Sequence, residues 1–414
     1  MHILYLHQYF ATRSGFTGTR SYELSRQLIA RGHRVTMIAS GRACEKELEV
    51  PEGKQFIETD VDGIHVVPIA AGYNNPHKGT GLGGAERMRH FLKFARLATR
   101  VGKQLERPDI VFATHTPLTI GLAGMRLARH FDVPFVFEVR DVWPDALVNC
   151  GALSNPLVIW WLRRMARKIY AASDHIVALS PGMKEGVVQT GVAPERVTVI
   201  TNGSDMDLFS PHVDGGPARQ RLGLDDRFAA VYFGAMGQAN GLDYAVHAAQ
   251  VLKERGRDNI VIILHGGGGK RTELQSLANR LNLDNVIFSD LVPDKSAVAG
   301  IVAACNACLT IYAQTRQEQS WSPNKMFDAL AAGRPVLVNV PGWLADLVES
   351  NGCGRFVNPD QPASLADALT ELSERPDLCV EMGRNSRQLA EREFSREVLA
   401  SRLEKVLENA IRGH

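Results

Sequence analysis

The sequence has no apolar run long enough to cross a bilayer, which takes about 20 residues, so the chain is not expected to be integral to a membrane. Its opening, Met-His-Ile-Leu-Tyr-Leu-His-Gln, has no basic leader and no small-residue cleavage site, and no signal peptide is expected. Cysteine is sparse, six in 414 residues. That excludes a disulfide framework and points to a reducing cytosol. Cys305 and Cys308 form a CxxC without a second pair at zinc-site spacing, so two small residues at a helix-to-strand junction is the better reading. His and acidic residues do not cluster at the spacing of a catalytic metal site, and no metal or other cofactor is expected. A charge excess is missing too. The 47 Lys and Arg against 45 Asp and Glu leave +2, too little to suggest a nucleic-acid partner. Repeats and low-complexity segments are absent as well.

What is present is globular: 45% hydrophobic and 22% charged residues. The length is too great for one ordinary domain and suits two. Short β-branched apolar runs alternate with helical patterns. In the first half they are Ile3–Tyr9, Val35–Ser40, His65–Ile69, Ile110–His115, Phe135–Val139, His175–Leu179 and Val197–Thr201. In the second they are Ala229–Phe233, Ile260–His265, Val286–Ser289, Ala307–Tyr312, Pro335–Val340 and Arg355–Val357. Unbroken apolar strands between helices mean a parallel sheet covered on both faces. The expected fold class is therefore α/β, with two Rossmann-like doubly wound domains, residues 1–207 and 208–394, facing across a cleft. The last helix, 395–414, has no strand after it and is free to pack back on the first domain. The stretch Ala70–Gly84, with five glycines and a proline, reads as a long mobile loop.

Ligands of such sheets bind beyond the carboxyl ends of the strands, so residues directly after strands are the candidates. The first strand leads into a turn with Gly15, Gly18 and Arg20, then a helix from near Tyr22. A glycine turn at a helix N-terminus suits phosphate. The spacing is not GxGxxG, which disfavours a nicotinamide cofactor, and a plain flexible loop is an equal reading. His115 follows the fourth strand, as a helix cap or a site residue. Glu138, Arg140, Asp141 and Trp143 end the fifth. They are either a structural Arg140–Asp141 pair or a contact for a sugar or acceptor. In the second half, Gly234 and Gly237 follow one strand; Gly266, Lys270 and Arg271 follow the next. Further on lies Ser320-Trp-Ser-Pro-Asn324-Lys325-Met-Phe-Asp328. Pro323 suits a first helical turn, Asn324 and Lys325 its phosphate-attracting end, and Asp328 would accept hydrogen bonds from ribose.

Two helical segments carry local positive charge. In 86–107, Met88, Phe91, Leu92, Ala95, Ala98, Val101 and Leu105 share one side, beside a stripe of Arg89, Lys93, Arg96, Arg100 and Lys103 with Arg87 and Arg107 at the ends. In 157–170, Trp160 and Trp161 accompany Arg163, Arg164, Arg167 and Lys168. Each is either an ordinary packed helix with a solvated face or a surface for anionic lipid.

Together these residues resemble glycosyltransferase family 4 over essentially the whole chain. The strongest parts are Asn202-Gly203-Ser-Asp205-Met-Asp-Leu-Phe209 and Pro323-Asn-Lys325 through Asp328 to Gly333-Arg-Pro335. The Glu138-Val-Arg140-Asp141-Val-Trp143-Pro144 segment is similar to the branch acting in O-antigen and capsule synthesis, including N-acetylfucosamine transferases. The resemblance implies a retaining, metal-independent GT-B enzyme. Its diphosphate contacts fall on Gly15 and Gly18, its active-site histidine on His115, and its paired acids on Ser320 and Asp328. The first acid is thus replaced by serine, and the usual arginine and lysine of the glycine segment by Ala235 and Asn240. Phosphate charge is then expected to be met by Lys325 with Lys270, Arg271 or Arg20. His115, Asp141 and Asp328 stand as catalytic candidates, and Glu138, Arg140 and Trp143 as the acceptor side. The implied partners are a UDP-sugar donor and a polyprenyl-diphosphate-linked saccharide, met at the cytoplasmic face of the inner membrane. A sugar-nucleotide epimerase or hydrolase, or a transferase with a soluble acceptor, are the alternatives.

Overall fold

The computed structural model describes residues 1–13, 18–41, 48–71, 83–149, 151, 153–292, 294–314 and 320–414. Gly15, and most of the glycine-rich stretch after Ala70, lie outside the described residues. The chain divides into two compact units, Met1–Thr201 with Arg396–His414, and Asn202–Ser395.

The first unit is built on an eight-stranded sheet in the order β3-β4-β2-β1-β5-β6-β7-β8. The strands are β1 His2–Leu6, β2 Arg34–Ser40, β3 Thr59–Val61, β4 Ile64–Ile69, β5 Ile110–Thr114, β6 Phe135–Val139, β7 His175–Ala178 and β8 Val197–Val199. All pairings are parallel except β3 with β4. β1, β5 and β6 are buried along their whole length, which is why they read as mostly apolar runs. One face is covered by α2 Gly84–Gly102, α3 Ile120–Phe131 and α5 Pro156–Ala172, through Phe94, Ala98, Leu127, Leu162 and Ile169. The other face is covered by α1 Arg20–Ala30 and α15 Arg396–Gly413, through Leu24, Leu28, Leu399, Leu403 and Leu407. The last helix therefore completes the first unit, and Arg31 and His33 reach its Glu404 at 3.2 and 2.6 Å. The short helices α4 Asp145–Asn149 and α6 Pro181–Val188 finish the unit.

The second unit holds six parallel strands in the order β11-β10-β9-β12-β13-β14. They are β9 Phe228–Phe233, β10 Ile260–His265, β11 Val286–Ser289, β12 Ala307–Thr310, β13 Val336–Val338 and β14 Gly354–Phe356. Helices α7 Gly216–Arg221, α8 Asp243–Glu254, α9 Arg271–Arg280, α10 Lys295–Ala303, α11 Asn324–Ala331, α12 Trp343–Ser350, α13 Pro362–Glu374 and α14 Pro376–Leu389 surround it. Two apolar layers result, one closed by α10, α11 and α12, the other by α8, α9 and α13.

The structure corrects several boundaries. The units divide after Thr201, not after residue 207. Asn202 donates through its backbone N–H and Nδ2 to Ser322, at 3.1 and 2.7 Å, and the Ser204 N–H donates to the Phe394 carbonyl at 3.0 Å. Both ties belong to the second unit. α1 starts at Arg20 rather than near Tyr22, and Pro323 is the N-cap of α11 rather than a first-turn residue. α2 ends at Gly102. Arg107 lies beyond it and donates to the carbonyls of Phe131 and Asp132, so it is a brace for the end of α3 and not part of a basic stripe.

Candidate active site

In the first unit the singled-out residues gather on neighbouring strand ends, β5 and β6. His115 directly follows β5. It is 1% exposed, and both ring nitrogens are buried without a hydrogen-bond partner. Burial, reinforced by the Arg140 charge, lowers its pKa to about 3, so the ring is neutral at physiological pH. Trp143 stands edge-on to it with ring centroids 5.3 Å apart, and packs in turn on Phe91 of α2 at 6.4 Å. Arg140 is half-buried and makes no hydrogen bond or ion pair with the described residues. Asp141 keeps part of its side chain in solvent, yet desolvation by the protein around it lifts its carboxyl to about 6, against the pull of Arg140. Among the described residues the structural Arg140–Asp141 pair, one of the two readings of this segment, is not formed.

Glu138 and Arg20 are elsewhere than expected. Glu138 is wholly buried and Arg20 is 2% exposed. Arg20 donates to one Glu138 oxygen through Nε at 3.0 Å and through Nη2 at 2.8 Å, and to the carbonyls of Ile200 and Thr201. The Thr114 hydroxyl lies 3.3 Å from the other Glu138 oxygen and 2.9 Å from the Tyr5 hydroxyl. The Glu138 carbonyl accepts the His115 N–H at 2.9 Å. A buried ion pair persists when hydrogen bonds satisfy its remaining valences, and this one has them. Arg20 is thus a brace under the strand ends rather than a phosphate ligand, and Glu138 is its counter-ion rather than an acceptor contact. Gly18 and Thr19 lead into α1, where Thr19 is the N-cap without a side-chain cap bond.

In the second unit two glycine loops, after β9 and β10, lie against each other. The Gly234 N–H donates to the His265 carbonyl at 3.0 Å, Met236 to Gly267 at 2.8 Å, and Lys270 to Met236 at 2.9 Å. A Cβ on Gly266 would stand 2.1 Å from the Gly234 oxygen, and Gly266 has φ +130°. Its glycine character is therefore required by the neighbouring loop. Gly237 caps the turn Gln238–Asn240.

Lys325, in the first turn of α11, lies over these loops. Its Nζ donates to the Tyr232 hydroxyl at 2.7 Å, and that hydroxyl donates onward to the Ala235 carbonyl at 2.7 Å. The ammonium also sits 4.0 Å from the Tyr232 ring centroid and 4.9 Å from that of Tyr312. A Cβ on Gly234 would be 3.5 Å from its Cε. No carboxylate pairs with it among the described residues, and burial pulls its pKa down to about 7. The other expected cations are occupied. Arg271 donates to the Gly266 carbonyl and pairs with Asp290 at 2.6 Å, bracing the loop. Lys270 pairs with Glu273 at 2.6 Å. Asp328, one turn beyond Lys325, accepts from the Ser204 hydroxyl at 2.7 Å. Asn324 opens α11, and Ser320 precedes it, half-buried.

Sequence reasoning missed Tyr232, Tyr312 and Trp321. The last two rings stack with centroids 4.3 Å apart. For Tyr232 and Tyr312 the signal is an aromatic at or just past a strand end, where it reads equally well as core; Trp321 lies just before α11. Among the described residues no group of three or more His, Cys, Asp or Glu could hold a metal ion.

The basic surfaces lie on α2 and α5, either side of α3. Arg87, Arg89, Lys93, Arg96 and Arg100 are exposed. Arg89, Lys93, Arg96 and Arg100 join Lys54 in lining a groove of about 640 Å³ over Leu92 and Leu97. On α5, Leu157 is 76%, Trp160 60% and Trp161 40% exposed, while Arg163 pairs with Asp145. No described helix is long and apolar enough to cross a membrane.

Two doubly wound α/β units, with polar residues at their strand ends, define an enzyme of the GT-B type. The chain is a glycosyltransferase, in which a glycosyl transferase 4-like domain, matched over residues 17–203, precedes a glycosyl transferases group 1 domain, matched over residues 217–389. It is 29% identical to the D-inositol 3-phosphate glycosyltransferase of Streptomyces coelicolor, a match spanning 52% of this chain and 51% of that protein. It is 21% identical to the probable glycosyltransferase WbjE of Pseudomonas aeruginosa over 73% of this chain and 74% of the relative. With the D-inositol 3-phosphate glycosyltransferase of Kribbella flavida identity is 25%, over 87% and 83%. The fold matches sucrose-phosphate synthase of Thermosynechococcus elongatus with TM-score 0.77 at 18% identity over all of both chains. It matches Anabaena Alr3699/HepE in complex with UDP and glucose at 0.68 and 18%, over 99% and 100%. A third match is WaaG, a glycosyltransferase involved in lipopolysaccharide biosynthesis, at 0.66 and 16%, over 98% and 99%.

Proposed function

We propose that this glycosyltransferase takes its sugar from a UDP-sugar and passes it, with retention, to a polyprenyl-diphosphate-linked saccharide in O-antigen, capsule or exopolysaccharide synthesis. The observation that carries the donor assignment is Lys325. An ammonium held by two tyrosines, with no carboxylate partner among the described residues, is a preformed receptor for an anion. It sits in the first turn of a helix, where free N–H groups add to it. UDP in the similarly folded HepE supports the choice of nucleotide. The exposed α2 and α5 surfaces support the membrane-borne acceptor, since basic and aromatic side chains on amphipathic helices suit an anionic leaflet. The lipopolysaccharide role named for WaaG agrees with that setting.

In this reading the bond from sugar C1 to the phosphate oxygen breaks as the acceptor oxygen bonds to C1 from the same face. The acceptor proton goes to the departing phosphate. Lys325 stabilises the charge that develops on the diphosphate, the largest task such a site performs. Asp328 receives ribose, and neutral His115 offers its unpaired ring nitrogens to a sugar hydroxyl. Calorimetry with UDP tests the donor site. Lys325→Ala and Asp328→Ala are each expected to weaken binding about tenfold or more. Unchanged affinity in both variants removes the assignment.

A further inference from the structure

Holding Lys325 accounts for Tyr232 and for one face of Tyr312, and leaves Trp321 unexplained. The Tyr312 and Trp321 rings stack at 4.3 Å with 20° between planes, and both side chains are half-buried rather than enclosed in the core. Tyr312 is fixed through its backbone. Its N–H donates to Asn339 Oδ1 and its carbonyl accepts from Asn339 Nδ2, each at 2.9 Å, and Asn339 is itself 3% exposed. Trp321 Nε1 is buried with no hydrogen-bond partner. A buried N–H without a partner is costly, so an unmatched donor beside a rigid aromatic pair is the signature of a place where a ligand oxygen belongs. The pair adjoins the Lys325 ammonium through the Tyr312 ring. Along the chain it lies on the side of Lys325 opposite Asp328.

We propose that Trp321, backed by Tyr312, forms the platform for the donor's pyranose ring, with its apolar C–H face against the indole and one ring-substituent oxygen accepting from Trp321 Nε1. The inference rests on the reading that Lys325 holds the diphosphate and Asp328 the ribose. The group attached to the far phosphate is then the sugar, and it falls on the Trp321 side. An aromatic platform selects by shape. It favours a pyranose with a continuous C–H face and discriminates against one whose axial hydroxyl interrupts that face. Sugar specificity thus resides in Trp321, separately from the nucleotide contacts.

The experiment is calorimetry on the full chain and on Trp321→Phe and Trp321→Ala. The probes are UDP and the tightest-binding of UDP-glucose, UDP-galactose, UDP-N-acetylglucosamine and UDP-N-acetylgalactosamine. Trp321→Ala is expected to leave UDP affinity within about twofold and to weaken the UDP-sugar about tenfold. Trp321→Phe, which keeps a stacking ring and lacks the N–H, is expected to fall between, about threefold. Equal weakening of UDP and UDP-sugar in Trp321→Phe would place the base, not the sugar, on the platform and overturn the proposal. Unchanged UDP-sugar affinity in both variants would overturn it as well. Failure of the wild-type protein to bind UDP at all would instead remove the Lys325 reading beneath it.

Discussion

At Lys325 a charge is kept where water would otherwise hold it, and the geometry sets a pH dependence. The amine is pulled down to about 7 by burial, so it is protonated below that pH and neutral above it. Diphosphate binding requires the protonated form. UDP affinity is therefore expected to fall as pH rises from about 7 to 9.5, by up to about tenfold per unit. Lys325→Arg is expected to flatten the profile, because a guanidinium stays charged throughout. A wild-type affinity that is level over this range would contradict the assignment. Arg20 makes the opposite case. Removing it strands Glu138 in the sheet, and Arg20→Ala is expected to destabilise the first unit by about 3–5 kcal/mol, read by denaturant unfolding, while UDP affinity of the folded protein stays the same. Loss of UDP binding without loss of stability would return Arg20 to the phosphate. The sequence shows that Arg20, Lys270 and Arg271 follow strands and glycines. It cannot show that the partner of Arg20 lies 118 positions away, or that Arg271 turns back onto its own loop. Position at a strand end is a local property, whereas the partner of a side chain is a tertiary one.

Elements were more legible than contacts. Parallel strands buried on both faces leave unbroken apolar runs, and six of six in the second unit lie where such runs predict. β3 has no such signature: it is three residues long, and only Val61 is buried. The glycine loops were legible as loops, but not the packing of one against the other. Gly266 faces Gly234 at a distance no side chain survives, so its neighbour is protein. Gly266→Ala is expected to cost about 2 kcal/mol or more, since it combines a steric overlap with a strained φ, and to lower UDP affinity by displacing the loop under Lys325. Wild-type stability in this variant would show that the two loops do not lean on each other. The helices α2 and α5 were legible as amphipathic. Only the structure shows that Trp160 and Trp161 stay exposed and that Lys54, far from α2 in sequence, joins its cations.

For the whole molecule, vesicle binding separates the two readings of that surface. Each cation near an anionic leaflet contributes about 1 kcal/mol. Reversible, salt-sensitive binding to anionic vesicles is expected, and is expected to vanish when Arg89, Lys93, Arg96 and Arg100 become glutamate. A wild-type protein that stays in the supernatant with anionic vesicles at low salt would shift the acceptor to a soluble, phosphate-bearing molecule received by the same groove. Turnover directly measures sugar transfer from a UDP-sugar to a lipid-linked acceptor without a metal. With a panel of UDP-sugars, a polyprenyl-diphosphate-linked saccharide in vesicles, and EDTA present, UDP release is expected for at least one donor. It is expected to depend on the acceptor and to yield a labelled lipid-linked product. UDP release at the same rate without acceptor, or activity that EDTA abolishes and magnesium or manganese restores, would contradict it.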